Sequence, residues 1–402
     1  MVDLNDIKLL DVQPLSSSSK YQLFVISYQD RHFEVSESVA ALIEILKVTN
    51  SEVEVALELS RKNGIEYSQE EIKKLVNTYI DPIFRPKSEK KDSYIWLKKE
   101  FLSSKSLSPL THYFSYLFKP EVVIAFTVCI AIAQICFFVF ATNGQSITSS
   151  HSIESFLLGG GLFFLSVIFH ELGHASACKY YGIEHGHIGI GLYLHFPVFY
   201  ADVSNIWKLR RKQRIVVDLA GIYFQLLFLL PIILVHFMTN LDLKYVIYAI
   251  NLSFLFDLNP FFRFDGYWVF TDLLGIANLR QRTNEAISYM IKKMRGKEIL
   301  EKPYLYKINA KEKYIFLGYI IVSNLFFGYY ILYKIPLFLY QFVRTIPNDL
   351  QYIFESFTRL DTPFPFELLG PVLIQLGFIL LILYMFFKVL SSIYNYTTNK
   401  LS

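Results

Sequence analysis

The run FLLGGGLFFLSVIFHELGHASAC occupies residues 156–178 and is long enough to cross a bilayer, since about 20 apolar residues span the hydrocarbon core. Near its end stand three ionisable residues within five positions, His170, Glu171 and His174. An ionisable side chain at mid-bilayer costs at least ~2.5–3.5 kcal/mol on insertion scales. The three residues therefore indicate a local function. The alternative is a polar membrane helix whose histidines only hydrogen-bond to their neighbours.

The spacing of the two histidines favours a metal site. Positions i and i+4 share one face of a helix, so His170 and His174 can direct two imidazoles at one ion. Glu171 lies beside them with a carboxylate that can hold a water molecule, which is the HExxH arrangement of zinc hydrolases. Cys178 is one further i+4 step along this face. A small apolar filler is favoured for it over a ligand, because free cysteines are commonly buried.

Composition predicts an integral membrane protein with a soluble part. The 402 residues are 53% hydrophobic and 18% charged, with a mean hydropathy of +0.34, whereas soluble domains carry about 25% charged residues. The net charge of +4 is small and the basic residues cluster beside apolar runs. That pattern favours membrane anchoring over a nucleic-acid partner. We expect no signal peptide at the start MVDLNDIKLLDVQ, and three cysteines predict no disulfide framework.

Hydropathy predicts about six membrane spans, near 120–141, 156–178, 215–237, 244–262, 313–333 and 367–388. The apolar stretch 334–345 contains Pro336, and it is either a helix extension or an interfacial segment. Lysine and arginine concentrate in alternate flanks of these spans. The positive-inside rule then places both termini and the loops 179–214 and 263–312 in the cytoplasm.

Residues 1–86 predict a small soluble domain with strands and helices. We expect a hairpin of Tyr21–Ser27 and His32–Ser36, followed by helices that begin at Ser36 or Ser38, near Ser51 and at Ser68, the last one ended by Pro82 and Pro86. Ser68 and Glu71 form a capping-box pattern. The predicted fold class is thus an all-α polytopic membrane protein of about six transmembrane helices with a small N-terminal α+β, winged-helix-like cytoplasmic domain.

A second polar segment, DLNPFFRFDG at 257–266, follows the fourth predicted span. Pro260 breaks the helix there, and broken backbone at membrane depth is tolerated only against protein or a wet cavity. A catalytic zinc takes three protein ligands and keeps one position open, so we predict Asp265 as the third ligand. Asp257 is the weaker alternative because it precedes the break. Asn259 suits either a hydrogen bond to a substrate carbonyl or a cap on the broken helix.

These residues predict peptide-bond hydrolysis with one Zn²⁺ ion. Zinc lowers the pKa of water toward ~7 and polarises a carbonyl group. Glu171 would take the proton of that water and pass it to the leaving amine. Histidine and carboxylate ligands also accept other divalent ions, so zinc is inferred from ligand type.

HELGH in a membrane helix, followed by Asn-Pro-x4-Asp-Gly, resembles the site-2 protease family of intramembrane zinc metalloproteases. The run LNPFFRFDGYW is especially similar to the branch described as peptide zinc metalloproteases, found with ribosomally made peptides. The resemblance covers roughly 155–280 and implies zinc held by His170, His174 and Asp265, with Glu171 catalytic. Many members carry Ala-Gly-Pro and a nearby Asn that position substrate, where this chain has Ala220-Gly221-Ile222 and Gln225. Gln225 and Asn259 are therefore the predicted substrate-positioning residues.

The resemblance also implies a biology and a set of partners. It predicts an endopeptidase in a bacterial cytoplasmic membrane that matures a membrane-associated peptide, and residues 1–86 resemble modules that bind a leader peptide as an added strand. Between them we expect a linker and amphipathic approach at 87–118, an intramembrane protease core at 119–280, a basic loop at 281–312 and C-terminal membrane helices at 313–402. The alternatives are a transport or export component with a structural zinc site, a regulatory protease that releases a membrane-tethered factor, and a peptide-recruiting module.

Overall fold

A computed structural model describes residues 4–29, 31–49, 51–85, 95–140, 153–193, 196–239, 241–297, 302–358 and 366–398. These residues divide between two compact units. The first comprises Met1–Ser93, Lys98–Gly191 and Phe199–Leu317, and the second comprises Tyr94–Leu97, Leu192–Val198 and Gly318–Ser402. The candidate site lies wholly within the first unit.

The N-terminal region combines a three-stranded sheet with short helices. Its elements are α1 (Leu4–Lys8), β1 (Asp11–Leu15), β2 (Leu23–Tyr28), β3 (Arg31–Ser36), α2 (Glu37–Val48), α3 (Glu52–Asn63), α4 (Gln69–Leu75), a π-helical turn (Val76–Ile80) and α5 (Asp81–Phe84). Both strand pairs are antiparallel, in the order β1-β2-β3. The hairpin, the three helix starts and the Ser68–Glu71 capping box are confirmed. Strand β1 was not predicted, and the winged-helix fold remains a prediction.

Pro82 does not end the third helix as predicted. It stands at the start of α5, where its missing N–H needs no partner, and the preceding π-helical turn lets the chain continue to Phe84. Pro86, the other predicted terminator, and the charged stretch 87–91 lie outside the described residues.

The remaining described chain is mostly helical. It contains β4 (Ile95–Leu102), α6 (Ser104–Ser115), α7 (Pro120–Phe140), α8 (Ile153–Tyr180), β5 (Ile188–Tyr193), β6 (Phe196–Ala201), α9 (Arg211–Met238), α10 (Lys244–Asp257), α11 (Asp265–Leu274), α12 (Leu279–Met294), α13 (Ala310–Tyr329), α14 (Ile335–Thr358) and α15 (Phe366–Thr398). Short 3₁₀ turns occur at Tyr116–Phe118, Ser204–Lys208 and Tyr304–Tyr306. The second sheet has the order β4-β5-β6, so part of the predicted linker is a strand.

Five segments of the described chain are long and apolar enough to cross a membrane, which indicates an integral membrane protein. They are Pro120–Phe140, Leu157–Tyr180, Arg211–Met238, Ala310–Ser356 and Gly370–Lys388. The predicted span at 244–262 differs, because α10 has 14 residues and ends at Asp257. At 1.5 Å per residue it is about 21 Å long, shorter than a hydrocarbon core of about 30 Å. Five of the six predicted positions therefore carry helices of spanning length.

Pro336 does not interrupt the fifth predicted helix. A π-helical turn at Tyr330–Lys334 joins α13 to α14, and Pro336 is the second residue of α14. A proline ring clashes with the carbonyl of residue i−4, and the wider π turn displaces that carbonyl. Of the two alternatives for 334–345, the helix extension is confirmed.

The N-terminal core generates a stability prediction. Ile43 on α2 is fully buried in a cluster that includes Ile26 of β2 and Ile72 of α4. Ile43→Ala should destabilise this region by about 2–5 kcal/mol through lost burial and the cavity it leaves. Denaturant-dependent hydrogen exchange of the β2 amides in the full-length protein would measure the loss. Leu57→Ala on exposed α3 surface is the control and should change stability by no more than about 0.5 kcal/mol.

Candidate metal centre

Three ligand atoms from two separate helices converge in the first unit. Nε2 of His170 and Nε2 of His174 on α8 lie 3.2 Å apart. Asp265 Oδ2, at the start of α11, lies 2.9 Å from the first nitrogen and 3.3 Å from the second. Ligands of a tetrahedral zinc with bonds of about 2.0–2.1 Å are separated by about 3.3 Å. We call these three residues the metal centre. They form the one such His/Cys/Asp/Glu group found among the described residues.

The hydrogen bonding of His174 favours a cation at this point. Its Nδ1 lies 2.7 Å from the carbonyl oxygen of Val217 on α9. A carbonyl can only accept, so Nδ1 carries a hydrogen, and in the neutral imidazole, which is the form that binds a metal, the Nε2 lone pair faces the other two ligand atoms. Asp265 Oδ2 is buried and accepts no hydrogen bond from the described residues. One proton cannot satisfy three converging acceptors, whereas one metal ion can, so the residues fit zinc.

Asp265 is held in its ionised form. Burial alone would raise its pKa, but the adjacent His174 and His170 outweigh burial and hold the pKa of this carboxyl well below its usual range. An ionised carboxylate is the form that binds a metal ion.

Gly266 brings Asp265 to the histidines by leaving space. Asp265 is the first residue of α11, so the non-helical segment after α10 ends at Phe264. A Cβ at Gly266 would overlap the carbonyl of Leu258, the residue directly after α10. The absence of a Cβ at Gly266 permits this close approach. The chain therefore folds back tightly between Leu258 and α11.

Two further glycines allow α8 and α9 to pack in direct backbone contact. A Cβ at Gly173 would overlap the carbonyl of Ala220 and lie 2.9 Å from Cβ of Phe224. A Cβ at Gly221 would overlap Nε2 of both metal-centre histidines. Gly221 was singled out only as part of a substrate-positioning motif. Its position directly over the imidazoles was not predicted, because a single glycine in a helical pattern does not reveal what it faces.

Glu171 is buried beside the metal centre, with 8% of its surface exposed. Its carboxylate accepts a hydrogen bond from the backbone N–H of Ala201, the last residue of β6. Strand β6 is an edge strand of its sheet, and its last residue contacts Glu171, the candidate general base. No sequence pattern predicts this contact, which joins residues 30 positions apart.

The weaker ligand candidates do not join the metal centre. The carboxylate of Asp257 accepts a hydrogen bond from Ser253 at 3.3 Å, and Cys178 is buried in the apolar core between α8 and α9. His185 pairs with Thr111 at 3.1 Å, and His187 pairs with Tyr200 at 3.1 Å. His195, which follows the same segment, lies outside the described residues.

Asn259 and Gln225, the two predicted substrate-positioning residues, differ in their hydrogen bonds and burial. Asn259 Oδ1 accepts a hydrogen bond from the N–H of Phe261 at 2.8 Å, which stabilises the turn after α10. Gln225 is 1% exposed, and its Nε2 lies 3.4 Å from the hydroxyls of both Ser166 and Ser253. Gln225 Oε1 has no hydrogen-bond partner among the described residues. A role in substrate binding remains a prediction for both.

Comparison with known proteins indicates a metalloprotease-like protein. The chain is 27% identical over 128 residues to "Putative peptide zinc metalloprotease protein YydH" of Bacillus subtilis (strain 168). This match covers 30% of the chain and 50% of the relative, so the chain spans about half the length of that protein. No family model and no solved structure matches the chain.

Gly221 provides a test of the metal centre that leaves the ligands intact. Gly221→Ala should abolish zinc binding in folded protein, because the added methyl group would occupy the space of both Nε2 atoms. Bound zinc in the purified protein would be measured by mass spectrometry of the metal. Gly160→Ala on the same helix α8 is the control, since a Cβ there meets nothing within 4 Å. Full zinc content in Gly221→Ala would contradict the assigned geometry.

Proposed function

We propose that this protein is an intramembrane zinc endopeptidase, with His170, His174 and Asp265 as zinc ligands and Glu171 as the general base. The observation that carries the proposal is the convergence of the three ligand atoms within 2.9–3.3 Å, with a buried carboxylate directly beside them. The similarity to a named peptide zinc metalloprotease supports the same chemistry. A structural zinc site would have no use for Glu171.

In the proposed reaction, Glu171 transfers protons, and two backbone groups orient Glu171 and His174. When bound, zinc activates water and polarises the scissile carbonyl. The Glu171 carboxylate holds the attacking water, takes its proton and then delivers that proton to the nitrogen of the leaving amine. The N–H of Ala201 keeps the carboxylate oriented, and the Val217 carbonyl keeps His174 in the tautomer that binds metal. Burial of the site excludes competing bulk water.

The proposed substrate is a membrane-associated or amphipathic precursor peptide. In a helix each amide is shielded by its own hydrogen bond, so the segment around the scissile bond must unwind before attack. Strand β6, whose last residue contacts Glu171, is an edge strand of its sheet, and an extended peptide can pair with such an edge. Peptide maturation, with a leader bound at the N-terminal sheet, is the biology that we propose for this activity.

We further propose that the site opens toward the cytoplasmic leaflet of a bacterial cytoplasmic membrane, with both termini in the cytoplasm. Basic residues flank the inner ends of the proposed spans, including Lys119 before α7 and Arg210 to Arg214 at the start of α9. The same charge bias puts the end of α8 and the start of α11 at one leaflet. The metal centre requires these two helix ends to lie at the same leaflet, because its ligands come from α8 and α11.

The protease proposal predicts that Glu171→Gln keeps zinc but loses cleavage. Removing the general base should lower the rate by about 10²–10⁴-fold, whereas the three ligands are untouched. Zinc content would be compared with cleavage of quenched fluorescent amphipathic peptides in lipid nanodiscs, and with new peptide termini in membranes of expressing cells. Glu184→Gln, an exposed glutamate of the same unit, is the control. Equal cleavage by Glu171→Gln and wild type would rule out this role.

The proposed orientation predicts how single cysteines react with a membrane-impermeant maleimide. In a background without Cys129, Cys136 and Cys178, cysteines placed at exposed Leu57 and Met294 should react in inverted vesicles and stay protected in intact spheroplasts. Reaction of either position in intact spheroplasts would show that the topology is inverted.

A further inference from the structure

A buried ion pair lies outside the metal centre and has no part in the proposed chemistry. Arg214 on α9 is 2% exposed and Asp272 on α11 is 5% exposed. The Arg214 Nε donates to Asp272 Oδ1 at 2.7 Å. Replacing a buried pair with apolar residues is often neutral or stabilising, so stability alone is a weak reason to keep such a pair.

Arg214 uses its planar guanidinium to join three segments. Besides Asp272, Nη1 donates to the carbonyl of Leu209 at 3.0 Å and Nη2 donates to the carbonyl of Ser16 at 3.2 Å. The guanidinium also lies 5.2 Å from the ring centre of Trp207. We call Arg214, Asp272 and the Ser16 carbonyl the Arg214 clamp. A lysine carries the same charge but lacks this fixed fork of donors.

The Arg214 clamp connects the two helices that build the metal centre. Arg214 precedes Val217, whose carbonyl orients His174, by about one turn on α9. Asp272 follows the ligand Asp265 by seven residues on α11, so both side chains lie on the same face two turns apart. Asp218, which follows Val217, is also buried and lies near Asp272. A shift of α11 against α9 would therefore move Asp265 relative to the histidines.

The N-terminal segment completes the same junction. The Ser18 N–H donates to the carbonyl of Gly275, the residue directly after α11, at 3.0 Å. Gly275 has a φ of +63°, and a Cβ there would lie 2.9 Å from the Ser18 nitrogen and 2.7 Å from Cζ of Arg211. Arg211 in turn donates from Nε to the Asp272 carbonyl at 3.0 Å. Residues 16–18 thus connect the end of α11 to the start of α9 through hydrogen bonds.

We propose that the Arg214 clamp is a positioning element that fixes Asp265 against His170 and His174, and that it makes metal affinity depend on the docked N-terminal segment. The inference rests on the proposed metal centre but not on protease activity. Partners that orient metal ligands typically change affinity by about 10–100-fold when removed. An effect of about 10-fold is expected here because the clamp acts on Asp265 through a helix.

The test measures zinc dissociation constants of the full-length protein by chelator competition, together with the visible absorption of the cobalt-substituted protein. Arg214→Lys keeps the charge and should weaken zinc binding about 10-fold, since it cannot reach all three acceptors. Arg214→Met/Asp272→Leu removes both charges and should also fold but bind zinc about 10-fold more weakly. Gly275→Ala should also weaken binding, because the added Cβ would displace both Ser18 and Arg211 from the end of α11.

Lys208→Gln is the matched control. It breaks the 2.8 Å ion pair with Asp11, another contact of the N-terminal region, without touching α11, so zinc affinity should not change. Circular dichroism and gel filtration identify the folded variants to be compared. Wild-type zinc affinity in folded Arg214→Lys or in the folded double variant would overturn the proposal. A wild type that binds no zinc would instead remove the metal centre and the protease proposal together.

Discussion

Close contact between α8 and α9 is the constraint on which the rest of the site depends. Gly173 and Gly221 let the two backbones meet, and small residues at a helix interface are what allow such an approach within a membrane. The contact brings the Val217 carbonyl to His174 and leaves room for an ion under Gly221. Any side chain at either glycine would separate the helices and close that space.

Two groups of buried polar side chains lie near this contact, the metal centre and the ion pair of Arg214 with Asp272. The metal centre brings two imidazoles and one carboxylate to a point where a single cation can bind all three. About two turns away, Arg214 and Asp272 form a second charged junction whose members satisfy each other. Buried charge is costly unless it is paired. The metal centre therefore favours one position of α8 against α11, and the Arg214–Asp272 pair favours one position of α9 against α11. The tight turn at Gly266 links them, because it begins the helix that carries Asp265 and Asp272.

Local sequence signals predicted much of the fold, and they did so where a short pattern suffices. The capping box at Ser68, the N-terminal hairpin and five helices of spanning length follow from such patterns. Strand β1 and the short α10 were not predicted. Strand β1 contains Pro14 and gains its stability from pairing with β2, while the length of α10 is set by the turn at Asn259. Both depend on partners that hydropathy does not show.

The sequence by itself determined the side chains of the candidate site, because HELGH on a helix places two imidazoles one turn apart on one face, with a carboxylate next to the first, regardless of the surrounding fold. The sequence also favoured Asp265 over Asp257 from the helix break at Pro260. Only the tertiary structure decided that Val217 orients His174, that Ala201 contacts Glu171 and that Arg214 joins α9 to α11. These contacts join residues 30 to 58 positions apart. The Val217 and Ala201 contacts use a backbone carbonyl and a backbone N–H, which carry no residue-specific signal. The Arg214 contact pairs two side chains that only the packing of α9 against α11 brings together.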